Sequence, residues 1–151
     1  MTNDIKSSLK AVSSRIASLA ERYGRNPDDI SLLAVSKTFP AGQIQLAYEA
    51  GQRAFGENYV DEALGKIETL VDLDIEWHYI GPIQSNKTRK IAEHFDWVHS
   101  VASLKHARRL SEQRPADLPP LNICIQVNIS GESSKSGIDR SEVAEFASSV
   151  S

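Results

Sequence analysis

The stretch LLAVSKTFP, residues 32–40, contains the pattern from which the fold of this chain follows. Six of its nine residues are apolar, which is typical of a strand buried on both faces. A lysine, Lys37, comes at the end of the run, and Phe39 and Pro40 then stop the strand. In parallel α/β folds the functional groups gather at the carboxyl ends of the strands, so Lys37 is the first candidate site residue.

The same order of apolar run, turn and helical stretch recurs along the rest of the chain. The predicted strands are Ile30–Lys37, Arg53–Gly56, Glu76–Ile80, Trp97–Val101 and Leu121–Ile129. The predicted helices cover about residues 4–23, 41–50, 59–71, 85–94, 103–113 and 140–150, the first of them capped by Thr2, Asn3 or Asp4. Strands that alternate with helices of this length predict βα units and a parallel sheet.

This pattern leaves two arrangements open for the five βα units. One is an open doubly wound sheet, and the other is part of a closed (β/α)8 barrel, which needs eight units and typically about 250 residues. The fifth strand places Asn122, Gln126 and Asn128 on one face, and a polar face on a parallel strand favours a barrel interior or a binding site. No linker divides the chain, so we expect one domain over residues 1–151. The sequence stops within a helical pattern, EFASSVS, with no terminator, so we expect either an open sheet or part of a longer barrel.

The composition narrows the class of protein. The chain has 151 residues, 40% of them apolar, and a formal net charge of −3. This charge predicts no general attraction to nucleic acid or to anionic lipid. No run approaches the roughly 18 apolar residues of a membrane span, and the single cysteine, Cys124, allows no internal disulfide. We therefore expect a cytoplasmic protein that binds neither nucleic acid nor membrane.

Polar side chains that follow the first two strands are candidates for chemistry. Burial disfavours the charged form of a lysine, and a neutral amine is a nucleophile that can form a Schiff base with an aldehyde. The alternative for Lys37 is a solvated strand end. Glu57 and Asn58, after the second strand, could both point into the site, and the alternative for Asn58 is a helix cap.

Later strand ends offer weaker candidates. After the third strand, Ser85 or Asn86 could cap a helix, and Lys87 in its first turn would face a bound anion or solvent. The loop over residues 130–137 resembles an anion-binding loop in composition only, because it lacks the spacing of a nucleotide-binding loop. We expect His78 to be a buried, hydrogen-bonded histidine. The histidines show no metal-ligand spacing, and no serine-nucleophile or dinucleotide motif is present.

Four motifs in order carry a family resemblance. They are LLAVSKTFP, GQRAFGENYVDEALGKI, EWHYIGPIQSNKTRKI and QVNISGESSKSGI. The chain resembles the pyridoxal phosphate homeostasis protein family, which is similar to the N-terminal barrel domain of alanine racemase. The resemblance implies a (β/α)8 TIM-type barrel with an extra N-terminal helix, of which this chain covers about the first five βα units. It places the phosphate-binding part of the barrel in the units that this sequence lacks.

The resemblance also implies a cofactor and a set of site residues. Lys37 would hold pyridoxal 5'-phosphate (PLP) as a Schiff base. The positions that match family motifs around the cofactor, at the mouth of the barrel, are Asn58, Asn86, Lys87 and Asn128. Lys135 matches an accessory lysine of the family that is linked to cofactor transfer.

Three functions remain open on these grounds. The first is a monomeric PLP-binding protein that serves PLP homeostasis and hands the cofactor to apo PLP-dependent enzymes, without turnover of a substrate. The second is a PLP-dependent amino-acid racemase, which needs a second acid/base group such as Tyr59 or Tyr79. The third is a plain α/β binding module in which Lys37 is only a solvated residue.

Overall fold

The computed structural model describes residues 4–151 as alternating strands and helices. The strands are β1 (Ala34–Val35), β2 (Ala54–Glu57), β3 (Glu76–Tyr79), β4 (Trp97–Val101) and β5 (Asn122–Ile125). The α-helices are α1 (Ile5–Arg22), α2 (Ala41–Glu49), α3 (Val60–Thr69), α4 (Thr88–His94), α5 (Leu104–Gln113) and α6 (Val143–Val150). Short 3-10 helices cover Pro27–Asp29 and Arg140–Glu142. The predicted alternation of βα units is therefore confirmed.

The five strands form one parallel sheet in the order β1-β2-β3-β4-β5. Each strand pairs with the next strand in the sequence, with Val35 opposite Gly56 and Gly56 opposite His78. A doubly wound sheet reverses its strand order at a switch point, and no reversal occurs among these five strands. The sequential order is that of a barrel wall, which removes the doubly wound alternative.

One face of the sheet packs against the helices and forms the core. Phe55, Trp77, Tyr79 and Val98 are buried on this face, and residues of helices α2 to α6 pack against them. The Tyr79 ring meets Phe95 edge to face, with ring centroids 5.3 Å apart. Trp77 and Tyr79 are thus packing residues.

The opposite face carries the second set of alternating residues. Register places Val35, Gly56, His78, Trp97 and Asn122 in one row across the five strands. Val35 on the edge strand is 51% exposed, whereas His78 in the centre of the sheet is 8% exposed. The buried helical residues of the core pack with the other face, so this row is the face that a closed barrel would turn inward.

Three strands are shorter than the sequence predicts, β3 by one residue and β1 and β5 by more, and the two larger differences have a local cause. Strand β1 is an edge strand with a neighbour on one side only, and the side-chain amide of Gln52 takes the Leu32 carbonyl that would otherwise extend it. After β5 the backbone pairs with a different segment of the chain: the Asn128 N–H donates to the carbonyl of Ile138. The fifth predicted strand therefore stops at Ile125 rather than at Ile129.

Helix α1 begins and ends as its sequence indicates. The Asp4 carboxylate accepts from the N–H of Lys6 and caps the first turn, while Thr2 and Asn3, the other predicted caps, lie outside the described residues. Gly24 ends the helix with a φ of 66°, a left-handed conformation that glycine adopts readily. Within residues 4–151 no helix is long and apolar enough to cross a membrane.

Candidate functional site

Lys37 lies in a tight turn at the carboxyl end of β1. The N–H of Phe39 donates to the carbonyl of Ser36 at 3.1 Å and closes this turn. Ser36 is buried, Lys37 is half-buried and Thr38 is exposed. Among the side-chain contacts of residues 4–151, the Lys37 amine has no hydrogen bond and no salt bridge.

A buried ion pair beneath this turn was not predicted. The Lys66 ammonium lies 2.9 Å from Glu57 Oε1 and 3.0 Å from the Ser36 carbonyl oxygen. The Ser36 hydroxyl donates to the same Glu57 oxygen at 2.6 Å. Glu57 is fully buried on the helix-facing side of the sheet, so the expectation that it points into the site with Asn58 is wrong.

The sequence does contain a signal for this pair. The buried positions of α3 are Val60, Ala63 and Lys66, which recur at intervals of three and form one stripe facing the core. A lysine on such a stripe needs a buried counter-ion, because an unpaired charge in the core is costly. The carboxylate in FGENY, Glu57, is the counter-ion that the fold provides.

Asn58 follows β2 and is half-buried. It is not the cap of the next helix, because α3 begins after Tyr59 and has no side-chain cap. The backbone of Asn58 is packed tightly against Gly81, where an added Cβ would lie only 3.0 Å from the Asn58 Cα. This contact joins the loop after β2 to the loop after β3.

Asn86 and Lys87 follow β3, and neither Ser85 nor Asn86 caps the helix as expected. Helix α4 begins after Lys87 without a side-chain cap, and the hydroxyl of Thr88 donates back to the Ser85 carbonyl. Asn86 is exposed at the start of this segment.

The charge of Lys87 is matched by a neighbouring helix. Its ammonium lies 2.6 Å from Asp61 on α3, and Lys90 lies 2.7 Å from the other oxygen of the same carboxylate. The hydrogen bonds from Lys87 and Lys90 lower the pKa of Asp61 to about 2. This pairing explains how a lysine is tolerated at a helix start, where the helix dipole disfavours it.

Asn128 and Lys135 lie in the segment that follows β5. The Asn128 side chain organises its own loop, because its amide donates to the Glu132 carbonyl and its oxygen accepts from the N–H of Gly131. Lys135 is exposed and lies 3.1 Å from the Glu132 carboxylate. Gly137 passes so close to the Asn128 backbone that a Cβ there would lie 2.5 Å from its nitrogen.

A chain of hydrogen bonds crosses the open face of the sheet. His78 Nε2 lies 2.7 Å from a Glu76 oxygen, and His78 Nδ1 lies 2.8 Å from His99 Nε2. The Trp97 ring stacks on His78 with an angle of 2° between the planes. Burial and the nearby His78 lower the pKa of His99. The prediction of a buried, hydrogen-bonded His78 is confirmed.

The fold brings some of the predicted site residues to neighbouring strand ends. Lys37, Asn58 and the Asn86–Lys87 segment follow β1, β2 and β3, which are adjacent in the sheet. Asn128 and Lys135 follow β5, with β4 in between. All of these residues lie after the carboxyl ends of parallel strands, which point to the same edge of the sheet.

This parallel sheet, with a lysine at the end of its first strand, defines an α/β protein with a candidate site at the carboxyl edge. Residues 7–151 match the model of the family described as "Alanine racemase, N-terminal domain". The chain belongs to this family, and its curated relatives at 47–58% identity share the name pyridoxal phosphate homeostasis protein. The resemblance read from the four motifs is confirmed.

Individual relatives show how much of a known protein this chain matches. It is 58% identical over 146 residues to the pyridoxal phosphate homeostasis protein of Pseudomonas aeruginosa, covering 97% of this chain and 64% of that protein. Its fold is similar to that of PipY from Synechococcus elongatus PCC7942 without PLP, with a TM-score of 0.73 and 42% identity over 89% of this chain and 63% of PipY. The structure of PipY with PLP bound matches with a TM-score of 0.68 and 41% identity, over 87% of this chain and 64% of that one. The chain thus spans just under two thirds of the length of these relatives.

Proposed function

We propose that this chain is the lysine-bearing part of a PLP-binding protein that serves PLP homeostasis in the cell. In this proposal Lys37 carries the cofactor as a Schiff base and passes it to apo PLP-dependent enzymes. The support is the shared name of the curated relatives and the structure of PipY with PLP bound. The sequential parallel sheet supports the further proposal that the strands belong to a (β/α)8 barrel.

The observation that carries this proposal is the contrast between Lys37 and three lysines that follow or underlie the same strand ends. Lys66, Lys87 and Lys135 each lie within 3.1 Å of a carboxylate. An amine held in an ion pair keeps its proton and donates its N–H groups, so its lone pair is not available for attack. Lys37 has no such partner among residues 4–151, which leaves its amine free to react.

The chemistry that suits this amine is bond formation with an aldehyde. The nitrogen of neutral Lys37 bonds to the aldehyde carbon, two protons leave the nitrogen, and the aldehyde oxygen departs as water. Addition of water, or attack by the amine of a recipient enzyme, breaks this carbon–nitrogen bond and restores the Lys37 amine. The amides of Asn58, Asn86 and Asn128 and the ammonium groups of Lys87 and Lys135 are the polar groups we assign to the surroundings of the cofactor.

Racemisation would need a second acid/base group opposite Lys37. Tyr79 does not meet this need, because it is buried on the helix-facing side and its hydroxyl donates to the Pro82 carbonyl. Tyr59 is exposed after β2, and within the described part of the chain, residues 4–151, no hydrogen bond directs it toward Lys37. We therefore propose cofactor binding and transfer by a monomeric cytoplasmic protein, without turnover of an amino acid.

The test is to mix the protein, at its natural full length, with PLP, record the absorbance spectrum, reduce with borohydride and map the labelled peptide. We expect an imine band and a reduced adduct on Lys37. Lys37→Ala should lose both, and Lys10→Ala, an exposed control on α1, should keep both. Label spread over many lysines, or cofactor still covalently bound in Lys37→Ala, would refute the assignment. A measurement of α-proton exchange on amino acids tests for turnover, and we expect no exchange.

A further inference from the structure

The residue after Lys37 has an unusual backbone conformation that a side chain of the next helix holds in place. Thr38 has a φ of 67°, which β-branched residues seldom adopt. Its N–H donates to Glu62 Oε1 on α3 at 2.7 Å. Hydrogen bonds from the Lys66 ammonium and then from this N–H lower the pKa of Glu62. An ionised Glu62 therefore favours the left-handed conformation of Thr38.

Lys66 joins this contact to the residue before Lys37. Its ammonium lies 2.5 Å from Glu62 Oε1, 2.9 Å from Glu57 Oε1 and 3.0 Å from the Ser36 carbonyl oxygen. An ammonium group has three N–H donors, and Lys66 shares them among these three oxygens and Glu57 Oε2, which lies at 3.1 Å. We call Glu57, Glu62 and Lys66 the Lys66 clamp.

The clamp touches Lys37 only through its two neighbours. Ser36 is bound through its hydroxyl and its carbonyl, and Thr38 is bound through its N–H. Both peptide units that flank Lys37 are thereby hydrogen-bonded to one charge network, while the Lys37 side chain has no hydrogen bond or ion pair among residues 4–151. Such an arrangement orients the Lys37 amine through its backbone and leaves the N–H groups and lone pair of the amine unengaged. Preorganisation of this kind lowers the barrier to bond formation.

We propose that Glu57, Glu62 and Lys66 are positioning residues that aim the Lys37 amine at the aldehyde and so make Lys37 react faster than other lysines. This inference rests on the proposed function and adds residues that the site did not include. Its consequence is that a change in α3 slows imine formation at a lysine on another element.

Glu62 is the member of the clamp to change. Lys66→Met would leave the buried carboxylate of Glu57 without its counter-ion, which threatens the fold. The Glu62 side chain is 35% exposed, so its removal leaves the buried pair intact. Glu62→Ala removes the acceptor for Thr38, Glu62→Gln keeps an oxygen in its place, and Glu68→Ala is a control at an exposed position of the same helix.

Two measurements on the full-length protein separate the clamp from the cofactor assignment. The first is hydrogen–deuterium exchange at the Thr38 amide without PLP, which we expect to be about tenfold faster in Glu62→Ala because the hydrogen bond is lost. The second is the stopped-flow rate of imine formation with PLP, which we expect to be about tenfold slower in Glu62→Ala, with less of the borohydride-reduced label on Lys37. Glu62→Gln should restore both to within about threefold of the natural protein, and Glu68→Ala should change neither.

The results that would refute the proposed function differ from those that would refute the Lys66 clamp. Absence of label on Lys37 in the natural protein would refute the proposed function. Normal labelling there, together with an unchanged rate of imine formation in Glu62→Ala, would refute the clamp alone. A Glu62→Gln variant as slow as Glu62→Ala would also refute it, because the effect would then belong to the charge of residue 62 and not to the hydrogen bond with Thr38.

Discussion

Replacing Gly81 with alanine tests how tightly the loops at the strand ends are packed. An ideal Cβ on residue 81 would lie 3.0 Å from both the Cα and the carbonyl carbon of Asn58 and closer still to its oxygen. Ordinary contacts of a Cβ begin at 3.4 Å, and the overlapping atoms belong to the backbone, so no side-chain rotation relieves the clash. The Gly81 carbonyl also accepts from the Ser100 hydroxyl at 2.5 Å, which ties the loop to β4 and restricts its movement.

Overpacking that forces a backbone shift costs about 1–3 kcal/mol, and we expect Gly81→Ala to fall in the upper part, about 2–3 kcal/mol. For a chain of this size that loss lowers Tm by roughly 4–12 °C. Urea unfolding followed by the fluorescence of buried Trp77 measures the free energy of unfolding.

Gly65→Ala is the matched control for this variant. Gly65 is a helical position where an added Cβ meets nothing within 4 Å, so the same substitution should stabilise by roughly 0.5–1 kcal/mol. A free energy of unfolding for Gly81→Ala within about 0.5 kcal/mol of the natural protein would contradict the reasoning, because that range is typical of substitutions without a structural consequence.

Two further predictions concern an exposed carboxylate and the core. The pKa of Asp61 is about 2, held down first by Lys87, so its ion pairs stabilise the fold fully above about pH 4 and are lost as the pH falls toward 2. An NMR titration of its carboxyl carbon should show this midpoint, and Lys87→Met should raise it; a midpoint near 3.8 in the natural protein would disprove the pairing. Phe95 is 1% exposed, so Phe95→Ala should cost about 3–5 kcal/mol in urea unfolding. Phe39→Ala, at a position 56% exposed, should cost under about 0.5 kcal/mol, and equal losses in the two variants would argue against the core described above.

Local patterns in the sequence were enough to predict the helices and strands and to identify the family. The helix bounds agree to within one to three residues, and strand β4 matches its prediction fully. Such patterns succeed because apolar spacing and turn residues act over a few neighbours in the chain. Lys37 could be selected in the same way, since an ammonium group at the end of an apolar run is visible without any tertiary contact.

The capping predictions for α3 and α4 failed for a physical reason. Asn58, Ser85 and Asn86 have the right residue type for a cap, but α3 and α4 begin after Tyr59 and Lys87 without a side-chain cap. The Asn58 backbone is instead held against Gly81, a residue of another loop. Where a loop is fixed by a distant segment, local propensity no longer decides how the helix starts.

The parallel βα architecture, the family and the lysine at the end of the first strand all follow from patterns in the amino-acid sequence. Whether a lysine near the strand ends is paired with a carboxylate follows only from the fold. Lys66, nine residues after Glu57 in the chain, reaches back to that carboxylate at the end of β2, and Lys87, just before α4, meets Asp61 on α3. These pairings depend on how separate helices lie against the sheet. The buried stripe of α3 indicates that Lys66 needs a counter-ion, but only the packing of the elements determines which carboxylate supplies it.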